Sequence, residues 1–73
     1  MDRKALEESL RRAEGIVQIG RDQIEQQKIL IAQLEKDKQS SRAAKNLLKT
    51  FRELQSAHVK RRDDLKRQLV DGE

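Results

Sequence analysis

The sequence predicts an all-α fold: an antiparallel two-helix hairpin, coiled-coil-like, that dimerises into a four-helix bundle. Three observations predict it. The 73 residues hold no Pro and only three Gly, and they are rich in Leu, Glu, Gln, Lys, Arg and Ala, which lose little on entering a helix. Apolar residues recur at steps of three and four rather than two, the period of a helix face and not of a strand. One short polar interruption divides that pattern near its middle.

Over about 3–36 the spacing predicts the first helix. Leu6, Leu10, Ala13, Val17, Gly20, Ile24, Gln27, Ile31 and Leu34 form one heptad seam with a single polar member, Gln27. A second row, Ile16, Gln23 and Leu30, runs beside it and makes the stripe wider than one neighbouring helix can cover. Between 37 and 41 the pattern stops in a polar run that ends in Ser40 and Ser41, either of which can cap a following helix by accepting bonds from its free amides. Over about 42–70 a second seam follows through Ala44, Leu47, Phe51, Leu54, His58, Arg61, Leu65 and Gln68, flanked by Leu48, Gln55, Arg62 and Leu69. Gly72 stands where a left-handed residue can end that helix. The whole chain, 1–73, is thus one hairpin.

A short connection makes two long helices antiparallel neighbours. Folding the seams about Gln39 pairs Leu34 with Ala44, Ile31 with Leu47, Gln27 with Phe51, Ile24 with Leu54, Gly20 with His58, Val17 with Arg61, and Ala13 with Leu65. Gly20 and Ala13 make room in this register for the larger residues opposite. The expected packing core is Leu10, Val17, Gly20, Ile24, Ile31, Leu34, Leu47, Phe51, Leu54, His58 and Leu65. Glu14 falls near Arg61 and Arg62, and Glu25 near Arg52; such surface pairs contribute only ~0.2–1 kcal/mol each. A chain this small buries only roughly 60% of the surface its unfolded form exposes, and without Cys it has no disulfide or thiolate zinc to staple it. Self-association covers the second row.

Chemistry finds little footing in this pattern. His58 is the lone histidine, so no His pair can ligate zinc, and the simpler reading of it is a half-buried ring over Gly20 that bonds a neighbour such as Gln23. Adjacent carboxylates at Glu7–Glu8 and Asp63–Asp64 diverge by about 100° on a helix and do not converge on one substrate. No glycine-rich phosphate loop precedes a Lys-Ser/Thr pair. The expectation is a protein without catalytic, cofactor or metal sites. The first residues run into Glu7 and Glu8 where a secretory signal needs an apolar stretch, and the longest apolar run, Ile29 to Ala32, is far short of the ~20 residues that span a bilayer. A cytoplasmic protein with no membrane partner is expected.

Charge is the one asymmetry. Residues 1–36 carry seven basic and seven acidic side chains, whereas 37–73 carry ten and six. Arg42, Lys45, Lys49 and Arg52 line one face of the second helix, and Lys60 and its neighbours extend it; such a stripe can meet phosphates. No aromatic platform accompanies it, because Phe51, the sole aromatic, belongs to the core, and a solvated face is the simpler account.

Leu34-Glu35-Lys36-Asp37, then Ala44-Lys45-Asn46-Leu47-Leu48-Lys49-Thr50-Phe51, and later His58-Val59 and Arg62-Asp63, make the chain resemble small uncharacterised helical-hairpin proteins of rhizobia and related alphaproteobacteria. That resemblance implies a stand-alone bacterial hairpin whose turn often contains glycine, where this chain has Lys38, and it implies no activity. The functional expectation is a non-enzymatic protein–protein interaction or structural protein, a homodimer that can also meet another helical protein. The alternative is a nucleic-acid-associated hairpin that uses the basic face of its second helix.

Overall fold

The computed structural model describes residues 2–71, and Gly72 with its expected helix-ending role lies outside them. Helix α1 spans Arg3–Lys36 and helix α2 spans Arg42–Asp71, with no strand among the described residues. The two pack along their length as a hairpin. Near one end Arg3 Nη1 donates to the Leu69 carbonyl at 3.4 Å, midway Gln55 Nε2 donates to the Val17 carbonyl at 2.8 Å, and beside the turn Lys45 meets Glu35 at 2.8 Å. The result is a rod of 56 × 14 × 13 Å.

Each helix end has a local cause. Asp2 caps α1, its carboxylate accepting from the Lys4 amide at 3.4 Å. At the other end the Lys38 N–H donates to Glu35 O at 3.1 Å and the Gln39 N–H to Leu34 O at 2.8 Å, the paired 5→2 and 6→1 bonds that close a helix when the next residue turns left-handed. That residue is Lys38, with φ of 58°, at the position where glycine is the residue without a steric cost. Ser40 Oγ then accepts from the Arg42 amide at 3.5 Å, while Ser41 gives its hydroxyl hydrogen to Glu35 at 3.3 Å. The turn is therefore tied to the end of α1 as well as to the start of α2.

The α1 seam is the packed face: Leu6, Ala13, Val17, Gly20, Gln27 and Ile31 are buried, and Leu10, Ile24 and Leu34 are half-buried. On α2 only Leu65 is buried; Phe51 and His58 are half-buried. The expected core positions Leu47 and Leu54 are instead 45% and 52% exposed, while their flanking neighbours Leu48, Gln55, Arg62 and Leu69 are half-buried. At ~100° per residue, α2 is turned by roughly 60° from the orientation its most apolar row favours.

Gly20 explains the difference. Opposite it stands Gln55, about one helical turn before the His58 that the sequence reading places there. A Cβ on Gly20 would lie 2.7 Å from Gln55 Cδ, so the missing side chain is what lets the amide lie across α1 and reach Val17 O. Gln27, expected against Phe51, donates to Ala44 O at 2.9 Å. Both carbonyls serve their own helices and offer a second lone pair to the neighbour. Each such bond contributes about 1 kcal/mol net, and both are made in this register. The expected ion pairs of Glu14 and Glu25 do not form among the described residues; Arg62 holds its neighbour Asp63 at 3.0 Å.

Candidate functional site

Two long sides of the hairpin remain open, and the helical period says what each carries. Relative to the seam that faces α2, Ile16, Ile19, Gln23 and Leu30 fall roughly 60–120° to one side of α1. Relative to the seam that faces α1, Leu47 and Leu54 fall roughly 60–80° to the same side of the hairpin, because α2 runs back past α1 and its angular sense is reversed. Glu35 and Lys45 fall to the other side on both helices, and the 2.8 Å contact between them agrees with that placement. One side is thus apolar in its middle, with Ile16, Ile19, Leu30, Leu47 and Leu54 all 43–60% exposed. Ile29 and Val70 are also exposed but lie singly, away from this row.

The other side is the basic one. Lys45, Lys49 and Arg52 line a concavity of about 460 Å³ with Leu48, Glu53 and Ser56. Every lining residue belongs to α2, so no second wall encloses a ligand. Of the five basic residues singled out by the sequence, Lys45 is paired with Glu35 and Lys60 with Asp64 at 3.1 Å. Arg42, Lys49 and Arg52 have no ion pair among the described residues. The stripe is therefore three open cations interspersed with two engaged ones.

Glu35, Ser41 and Lys45 form a cluster of charged and hydroxyl groups that crosses the turn. The Lys45 ammonium, which bonds the Glu35 carboxylate and lies beside it as a positive charge, holds that carboxylate below its ordinary value near 4.5, with a lesser contribution from the Ser41 hydroxyl. The pair is half exposed, at 56% and 51%, so the cluster works as a clasp on the turn in water. His58 is half-buried and takes part in no hydrogen bond or ion pair among the described residues. Those residues contain no group of three His, Cys, Asp or Glu able to hold a metal ion, and none of their helices is long and apolar enough to cross a membrane.

No family model, curated protein or solved structure matches this chain. Gln27 announces itself in the sequence as the polar member of an apolar seam. Gln55 does not, because its role depends on Gly20 standing opposite, which only the register between the helices decides.

Proposed function

We propose that this chain is a non-enzymatic helical interaction protein, an antiparallel hairpin that associates with a second copy of itself into a four-helix bundle and can offer the same kind of coiled-coil surface to another helical protein. The observation that carries the reading is the balance of apolar side chains. Among the described residues five hydrophobic ones are buried, none of them completely, while seven large ones are exposed, five of these on a single side. So thin a core leaves little to offset the ~1–2 kcal/mol of backbone entropy that each ordered residue loses, and association supplies the missing burial. A cytoplasmic bacterial setting belongs to the same proposal and rests on the resemblance of the turn and α2 segments described above.

Light scattering and sedimentation equilibrium test it. A mass twice the 8.5 kDa of the protomer at tens of micromolar is expected, and a monomer throughout that range would overturn the reading. The second reading, nucleic-acid association, is favoured by Arg42, Lys49 and Arg52, which stand unpaired on the basic side. Phosphate contacts weaken steeply as salt rises, whereas apolar helix docking changes little. Recovery of RNA or DNA by the tagged protein, lost on moderate salt or nuclease treatment, would favour this second reading; salt-resistant capture of a protein favours the first.

A further inference from the structure

The apolar side of the hairpin has a layout that selects its own partner. Resting on the self-association proposed above, we propose that this side is covered by the same side of a second copy turned end over end. The two-fold axis then lies in the interface near Gln23, Leu30 of one protomer meets the partner's Ile19 and Ile16, and Leu47 meets the partner's Leu54.

Three observations argue for it. First, the apolar residues are spread evenly about a centre: Ile16 and Leu30 stand seven residues to either side of Gln23, and Leu47 and Leu54 bracket Phe51. A self-complementary surface needs that disposition, because each residue on one half must find its counterpart on the other. Second, the rod is 56 Å long and 14 Å wide, so one broad side is on the scale of the ~800 Å² per partner that a stable interface buries.

Third, charge chooses between the two ways of stacking such sides. Arg12 and Arg61 fall on the apolar side toward the open end of the hairpin, where the nearby Asp64 is already held by Lys60 and Arg67, and Asp37 lies beyond Leu30 at the turn end. Stacking with like ends together would set Arg12 against the partner's Arg61, twice by symmetry. Turning one copy end over end separates the arginines and moves Arg12 toward the partner's Asp37; like charges set against each other are the element that suppresses a wrong arrangement. Gln23 and Gln26 then supply a polar layer near the axis, a device that fixes register in helical bundles. The side bearing Arg42, Lys49 and Arg52 is left in water on both outer surfaces.

The chain has no cysteine of its own, which makes a clean cross-linking experiment possible. Ile19→Cys, Leu30→Cys, Leu47→Cys and Lys49→Cys are made singly, mixed in pairs, treated with a short bifunctional maleimide and digested, so that peptide mass spectrometry identifies which two positions are joined. The end-over-end dimer joins positions 19 and 30 in the Ile19→Cys and Leu30→Cys mixture and does not join positions 30 and 47 in the Leu30→Cys and Leu47→Cys mixture. The opposite result means that like ends are stacked and overturns the arrangement. A dimeric mass with cross-linking only at Lys49→Cys places the interface on the basic side and also overturns it, while leaving self-association standing. A monomeric mass for the unaltered chain overturns both. Leu30→Lys, which is exposed in the single hairpin, guards against variants that merely fail to fold: it is expected to keep the helical circular-dichroism signal while raising the dimer dissociation constant at least tenfold.

Discussion

Gly15 and Gly20 sit in the same helix five residues apart, and alanine at the two positions is expected to act in opposite directions. Alanine in place of glycine within a helix gains about 0.8–1 kcal/mol of propensity. At Gly15 nothing lies within 4 Å of an added Cβ, so Gly15→Ala keeps the whole gain. At Gly20 the Cβ would fall within the side-chain amide of Gln55, with Cδ at 2.7 Å and Nε2 at 3.3 Å. The amide must swing out, which removes its bond to Val17 O at about 1 kcal/mol and forces a repacking of the helix contact that costs ~1–3 kcal/mol when a methyl is added to a fitted site. Gln55 Oε1, which is buried without a partner, regains water as it leaves, and that offsets part of the cost. The net expectation for Gly20→Ala is a loss of about 1 kcal/mol, or some 4–8 °C in Tm for a chain of this size. In a Gln55→Ala background the obstacle is gone, and Gly20→Ala becomes stabilising by about 1 kcal/mol, a coupling of about 2 kcal/mol between positions 20 and 55. Thermal unfolding followed by circular dichroism at one fixed protein concentration measures the four variants and the unaltered chain, the fixed concentration being needed because association raises apparent stability. If Gly20→Ala stabilises the chain as much as Gly15→Ala does, or acts alike with and without Gln55, the close approach through Gly20 is refuted.

Three further expectations concern the turn and the buried amide. Lys38→Gly removes the side chain from the left-handed position with φ of 58° and should raise stability by about 0.5–1 kcal/mol after the added freedom of the unfolded chain is counted; urea unfolding shows it as a higher midpoint with an unchanged slope. The Glu35 carboxylate is held below its ordinary value by Lys45 and Ser41, so its contribution is present above about 4.5 and disappears as pH falls through the lowered folded value. Tm recorded from pH 6 to pH 3 should therefore fall less steeply at the acid end in Glu35→Gln than in the unaltered chain, and identical slopes would exclude a role for the clasp. Gln27→Ala removes a buried side chain and its bond to Ala44 O and should cost about 1–2 kcal/mol, measured as a lower urea midpoint.

The α1 seam was readable because that row is apolar or small at every position from Leu6 to Leu34 except Gln27, whereas the competing row of Ile16, Gln23 and Leu30 is shorter and is broken by an amide at its centre. In α2 two rows compete. Leu47, Phe51 and Leu54 make the more apolar one, yet Leu48, Gln55 and Leu69 turn toward α1, since hydropathy assigns no value to an amide that finds a carbonyl. The basic residues were equally visible, but their pattern did not say that Lys45 and Lys60 are occupied by Glu35 and Asp64 while Arg42, Lys49 and Arg52 are open. Ion pairing of that kind depends on which rotamers the register brings within reach.

Composition and periodicity alone determined that this chain is helical, that it is interrupted once, and which stripe of its first helix is covered, because those properties are set by residues within a turn or two of one another. The tertiary structure decided the rotation of α2, the partner of Gly20 and the side on which the spare apolar residues collect. Those follow from contacts between residues 17 to 66 positions apart, where the absence of one Cβ at Gly20 and the reach of two glutamine amides act between the helices and a reading of local periodicity has no access to them.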